Sequence, residues 1–261
     1  MLHRITSRTL QRKKQEGEKI VCLTAYDASF ARLAENAGVD VLLVGDSLGN
    51  VIQGHATTLP VTMGQMLYHT VAVSRVCQNA LVLADMPFLA YATVDLALVN
   101  AGRFFQKGGA HMVKLEGGTP QLEKVRRLTE EGIPVCGHLG LQPQSVHRTG
   151  YRTQGQDEDS AQRIATEAQQ LQEAGAVLLV LECVPFDLAQ RISVSLAIPT
   201  IGIGAGPACD GQVLVLYDLL GITPPPRFAK DFLSGRGSIA EAITAYVVAV
   251  RAGTFPESDG R

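Results

Sequence analysis

This 261-residue sequence lacks several signatures of common chemistry. It has no CxxC pair, no Cys/His spacing of the kind that grips zinc, no P-loop and no HExxH. Zinc ribbons, phosphate-loop nucleotide hydrolases and zinc peptidases are therefore excluded. The glycine-rich stretch GIGAGP (202–207) reads G-x-G-x-G followed by proline, so it lacks the third glycine of a dinucleotide fingerprint. There is no basic stripe: 23 Lys and Arg stand against 25 Asp and Glu, for a net charge of −2. The one basic cluster, Arg12, Lys13 and Lys14, is followed by Glu16 and Glu18, and nucleic acid is not an expected partner. No run approaches the roughly 20 apolar residues of a membrane span. The first 20 residues also lack the apolar core of a secretory signal, although their Arg and Ser content leaves a transit peptide as a weaker alternative. The cysteines (Cys22, Cys77, Cys136, Cys183, Cys209) are scattered, mostly in or beside apolar segments. They read as reduced core thiols of a cytoplasmic protein.

What the sequence does contain is a repeated alternation. Short apolar, β-branched runs recur at 19–26, 39–46, 80–88, 111–117, 133–141, 176–183 and 198–206, with a weaker eighth at 213–221. Continuous runs of this kind suit parallel strands covered on both faces. Between them lie segments of helical period, at 29–38, 62–78, 93–107, 119–131, 158–174 and 185–195, and a last helix follows at 238–251. Ala37-Gly38, Gly108-Gly109 and Ala174-Gly175 mark left-handed helix ends that lead into strands. The pattern predicts a (β/α)₈ TIM barrel over residues 1–261 as one domain, with an N-terminal helix and a short C-terminal tail. A doubly wound open sheet is the alternative, and Pro224, Pro225 and Pro226 interrupt the pattern.

In a parallel barrel the chemistry is built at the carboxyl ends of the strands. Those ends are charged here. The second run ends on Asp46, the third carries Asp85 directly after its apolar part, the fourth carries Lys114 and Glu116, the fifth carries His138 and the sixth puts Glu182 directly after its apolar part. Each alone reads as an ordinary strand-end polar group. Together they place several carboxylates at one mouth, where their mutual repulsion calls for a cation. Asp46, Asp85 and Glu116 are hard oxygen donors, which favours Mg²⁺ over zinc. An oxygen site with open positions suits a 2-oxo acid, whose carbonyl the metal polarises towards an enolate. Lys114 shares a strand face with Glu116 and serves either the substrate carboxylate or an ion pair with Glu116. Glu182 leaves the most apolar strand, a setting that suits a carboxylate to proton abstraction. Segment 47–62 is too polar and glycine-rich to be regular and is expected to cover the mouth, with His55 and Thr57 either touching ligand or packing the loop.

The strings LTAYDASFA, VGDSLGNVIQGHATTLPVTM, ADMPF, MVKLEGG, PVCGHLGLQPQSV, VLECVP and IGIGAGPACDGQVLV, in this order from about Thr6 to Leu233, resemble the ketopantoate hydroxymethyltransferase family. The resemblance implies a barrel of the phosphoenolpyruvate/pyruvate superfamily type, cytoplasmic and decameric. It implies transfer of a hydroxymethyl group from 5,10-methylenetetrahydrofolate to 3-methyl-2-oxobutanoate, the first committed step of pantothenate synthesis. Its implied Mg²⁺ contacts fall on Asp46, Asp85 and Glu116, its substrate contacts on Asp46, Ser47, Asp85 and Lys114, and its proton acceptor on Glu182; His138, from the strand-end reading, is added as an accessory. Two positions depart from the family pattern, Asn50 where an apolar residue is usual and Ala56 where aspartate is usual. A carbon–carbon lyase of the same superfamily is the rival enzyme. Such lyases usually carry a cysteine in a KKCGH-type loop, whereas Cys136 falls within a strand. A non-catalytic metabolite-binding barrel is the other alternative.

Overall fold

The computed structural model describes residues 4–223 and 226–257. Its strands are β1 (Ile20–Thr24), β2 (Val41–Val44), β3 (Leu81–Asp85), β4 (Met112–Glu116), β5 (Val135–Gly140), β6 (Leu178–Glu182), β7 (Thr200–Ile203) and β8 (Gly211–Leu214). Each pairs in parallel with the next, and β8 pairs back onto β1 from Ile20 with Gly211 to Leu23 with Leu214. That last pairing closes the barrel and excludes the open sheet. Among the described residues no helix is long and apolar enough to cross a membrane.

Strand side chains alternate between two faces, and here both faces are apolar. Val21, Leu23, Leu42, Val44, Val82 and Ala84 pack outward with the helices. Ile20, Cys22, Val41, Leu43, Leu81, Leu83, Met112, Cys136, Leu178 and Val180 fill the lumen. This double burial accounts for the uninterrupted apolar runs in the sequence. Below the lumen lies the helix Ser7–Glu16, opened by a Thr6 capping box. Its Leu10 is fully buried and joins the lumen cluster, a burial that contributes roughly 1.5–3 kcal/mol. Lys13 reaches Asp40 at 3.3 Å and Lys14 reaches Asp210 at 2.8 Å. Those two carboxylates sit just ahead of β2 and β8, so the helix is tied to the amino ends of the strands.

Three segments differ from expectation. The run 213–221 is not one strand: β8 covers Gly211–Leu214 and a short helix follows at Leu216–Leu219. Gly211 is required at the closure, because a Cβ there would lie 2.3 Å from the Ile20 carbonyl oxygen. Segment 47–62 begins with a helical turn, Leu48–Val51. The helix read at 93–107 is α-helical only over Val94–Arg103 and then widens into a π-helical turn, Phe104–Gly108. Gly38, Gly109 and Gly175 all adopt the left-handed backbone expected of helix ends. Of the three prolines, Pro224 and Pro225 lie outside the described residues, as does the end of the tail beyond residue 257.

Candidate active site at the carboxyl ends of the strands

The lumen changes character near its upper end while keeping its two-residue period. On β3, Leu81 and Leu83 are followed by Asp85. On β4, Met112 is followed by Lys114 and Glu116. On β5, Cys136 is followed by His138, and on β6, Leu178 and Val180 are followed by Glu182. The barrel thus aims five polar side chains inward from four neighbouring strands, and Asp46 and Ser47 arrive just beyond β2. All seven residues line a single cavity of about 700 Å³. Asn50 and Ala56 from the covering segment line it as well, whereas His55 and Thr57 do not. The Asn50 amide donates to the His55 carbonyl at 2.9 Å, pinning the bend of that segment.

Lys114, 4% exposed, is the central cation. Its Nζ donates to both Asp85 oxygens at 2.7 Å and stands 3.8 Å from Glu116 Oε1. Its main partner is therefore Asp85 on the preceding strand, β3, and not Glu116 on its own. The three carboxylates hold this ammonium charged, above the usual lysine range, despite its burial. Burial pushes Asp46 well above the usual carboxylate range, and the charges of Asp85 and Glu116 push it the same way. Burial raises Asp85 too, against the pull of Lys114. For Glu116, burial opposes ionisation, but His138, Lys114 and the Gln144 N–H together hold it below the usual value.

Three residues not singled out in the sequence reading, Gln144, Tyr91 and Tyr26, complete the cluster. The Gln144 side-chain amide donates to Asp46 Oδ2 at 2.9 Å and to the Met86 carbonyl at 3.0 Å, and its backbone N–H donates to Glu116 Oε2 at 3.0 Å. Tyr91 Oη in turn donates to Gln144 Oε1 at 2.6 Å. Gln144 therefore bridges carboxylates from two different strands, and Tyr91 fixes which way its amide faces. Tyr26 shares a hydrogen bond of 2.9 Å with Ser47 Oγ. Residues 45–49, Gly-Asp-Ser-Leu-Gly, spell a GxSxG motif on a strand-turn-helix. No histidine hydrogen-bonds Ser47 among the described residues, so the pair that would activate a serine nucleophile is missing.

His138 stands between two carboxylates, with Nδ1 3.3 Å from Glu116 Oε1 and Nε2 3.2 Å from Glu182 Oε2. Neither ring nitrogen is aimed well enough to make a hydrogen bond, and Glu116 Oε1 is likewise buried without one. The contacts are ion pairs with poor directionality. Burial and Lys114 favour the neutral ring, but the two carboxylates outweigh them and push His138 up to about 9. A histidine raised on folding stabilises the fold fully below its ordinary value near 6.5 and loses that contribution as pH rises through 9. The metal-free protein is therefore expected to lose stability between those two values in urea titrations, by an amount on the order of a few kcal/mol. The His138→Gln variant should show a much flatter profile, and an equally steep one would clear His138 of responsibility.

Glu182 is the most accessible member, its side chain 17% exposed. Its backbone is held closely: a Cβ on Gly140 of β5 would lie 2.1 Å from the Glu182 carbonyl oxygen, so glycine is what lets the two strand ends meet. Cys183 follows at φ 46, a left-handed conformation uncommon outside glycine. The cysteine of the rival lyase reading is of no use as a nucleophile. Cys136 is fully buried, and burial pushes its thiol up to about 12.

Among the described residues no three His, Cys, Asp or Glu side chains are grouped tightly enough to grip one metal ion as they stand. Lys114 fills the space beside Asp85. The donor chemistry nonetheless fits a hard divalent cation: three buried carboxylates face one ammonium, and Glu116 Oε1 has no hydrogen-bond partner.

Comparison with known proteins adds three findings. The family model described as ketopantoate hydroxymethyltransferase matches residues 4–258. A protein of Methylococcus capsulatus named 3-methyl-2-oxobutanoate hydroxymethyltransferase is 58% identical over 254 residues, covering 97% of this chain and 94% of its own. One of the same name from Nitrosococcus oceani is 59% identical over 256 residues, covering 97% of each. The fold also resembles phosphoenolpyruvate phosphomutase from Streptomyces platensis, at TM-score 0.64, 16% identity and 83% of each chain. A phosphonopyruvate hydrolase solved with oxalate and Mg²⁺ gives TM-score 0.63 at 13% identity, covering 96% of this chain and 98% of that one. At those identities the likeness is one of fold alone.

Proposed function

The chain belongs to the ketopantoate hydroxymethyltransferase family, and from that membership we propose that it adds a hydroxymethyl group to C3 of 3-methyl-2-oxobutanoate, with 5,10-methylenetetrahydrofolate as donor and a divalent cation, Mg²⁺, as cofactor. The observation that carries this reading is the convergence of Asp46, Asp85, Lys114, Glu116 and Glu182 on one cavity.

In this reading Asp46, Asp85 and Glu116 hold the cation, and a cation bound there supplies Lewis-acid polarisation of the substrate's keto oxygen. The substrate carboxylate is received by Lys114, a buried ammonium with a fixed direction, and by the Ser47 hydroxyl, which Tyr26 orients. Glu182, exposed enough to be reached from the cavity, takes the C3 proton. His138 holds the Glu182 carboxylate in place from below. The electron pair left on C3 forms the new carbon–carbon bond to the one-carbon unit, both carbon–nitrogen bonds that tie that carbon to the folate break, and water supplies the hydroxyl oxygen; the two folate nitrogens take up one proton from water and the one that Glu182 removed from C3. Gln144 keeps Asp46 and Glu116 turned towards the same space.

We also place the enzyme in the cytoplasm, a reading supported by five free cysteines, and as a decamer, which light scattering would test. For the activity the test is direct. Purified protein with Mg²⁺, the 2-oxo acid and the methylene folate should accumulate 2-dehydropantoate, seen by NMR, and should stop when the metal is chelated. Absence of product under both conditions would refute the assignment.

A further inference from the structure

Beside the first cavity lies a second, of about 660 Å³. Glu116 and Arg152 line both, so the two spaces meet at the reacting centre. The walls of the second are chemically opposite. One is apolar and partly aromatic, formed by Phe88, Leu89, Tyr91 and Ala92 after β3. Phe88 is 41% and Leu89 63% exposed, and Leu89 sits at φ 61, a strained backbone for leucine. Packing into the core does not explain an exposed leucine held that way. The rest of the lining includes Lys124, Arg148, Arg152 and Arg163.

Of these cations Lys124 is held by neutral oxygens, donating to the Pro120 carbonyl at 3.1 Å and to Gln121 Oε1 at 2.7 Å. None of the ion pairs among the described residues includes Lys124, Arg148, Arg152 or Arg163. The two carboxylates in the lining are already engaged: Glu167 accepts from the Thr119 N–H and hydroxyl, both at 3.1 Å, and Glu116 belongs to the catalytic cluster. A chain of net charge −2 thus carries a slot in which four cationic side chains, outside any ion pair among the described residues, stand beside an apolar wall. Such a slot fits a ligand with a flat apolar body and a carboxylate-bearing end.

We infer that the second cavity seats the aromatic and glutamyl part of the folate donor, with Arg148 and Arg163 answering its carboxylates and the Phe88–Ala92 wall taking its ring. The inference rests on the folate reading above and adds where the donor lies and which charges hold it. Exposed guanidinium–carboxylate pairs are individually weak, and several acting on one tail add up.

The test compares 5,10-methylenetetrahydrofolate bearing one glutamate with the form bearing three, on the Mg²⁺-loaded enzyme and on the Arg148→Gln/Arg163→Gln double variant. The double variant should raise KM for the triglutamate roughly tenfold, and that for the monoglutamate less. Binding of tetrahydrofolate triglutamate by calorimetry should weaken in parallel, and added NaCl should erode it in the wild type more than in the variant. Equal KM changes for both tail lengths, or none, with folate turnover intact, would overturn this inference alone. Wild-type protein that exchanges the C3 proton of the 2-oxo acid yet turns over neither folate would overturn the donor assignment and this inference with it.

Discussion

Replacing Glu182 by glutamine is expected to slow C3 proton exchange of 3-methyl-2-oxobutanoate in heavy water by about 10²–10⁴-fold. Exchange needs no folate, so it isolates the step given to this side chain. Three features single out Glu182. It continues the inward face of β6 above Val180, it has the most accessible carboxylate of the cluster at 17%, and it is not committed to Lys114 or Gln144. Glutamine keeps the shape and the backbone, including the close approach of Gly140, while removing the ability to take a proton. Substrate affinity, which the proposal assigns to Lys114 and Ser47, should stay within a few-fold of wild type. NMR of the C3 signal gives the rate and calorimetry gives the affinity. Exchange at the wild-type rate would show that another group is the base, and His138, 3.2 Å away, would be the first to examine.

The second large effect is expected at Lys114. Substituting methionine leaves Asp46, Asp85 and Glu116 buried without their cation, and breaking a buried ion pair from one side typically costs about 3–5 kcal/mol. For a chain of this size that is roughly a 10 °C fall in Tm. The sign of the rescue is what makes the test informative. Adding Asp85→Asn, which removes one of the stranded charges, should recover much of the loss, because the penalty comes from unpaired charge and not from a missing methylene. Millimolar Mg²⁺ should raise the Tm of Lys114→Met more than that of the wild type, since a ligand that binds only the folded state stabilises it by mass action. Thermal unfolding of the three proteins with and without metal checks all of this. A Lys114→Met protein as stable as wild type without metal would mean that the carboxylates are protonated and that the cluster is not built around a cation.

The inward placement of Asp85, Lys114, Glu116, His138 and Glu182 was legible because strand geometry repeats every two residues, so an apolar run that turns charged at a fixed spacing reveals its own face. Their roles are a separate matter, to be decided by the variants above. Gln144 and Tyr91 were not legible. Both are uncharged, they lie 53 positions apart, and their value comes from a meeting across a loop that no periodicity announces. The true end of β8 was missed for a related reason: Val213–Tyr217 is apolar throughout, and an apolar run alone does not say where strand becomes helix. Segment 47–62 looked shapeless because its glycines and threonines hide the single turn, Leu48–Val51, that starts it.

Leu10 gives the molecule a floor. With the helix Ser7–Glu16 tied across the strand beginnings, the barrel is a cup and not a pipe. In the proposed reaction acid, donor, product, water and every proton that reaches Glu182 share one rim, and whatever closes that rim sets hydration, ionisation and traffic at once. The packed lumen and the helix beneath it leave only the carboxyl ends of the strands open, so in the proposed reaction both substrates arrive from the same side.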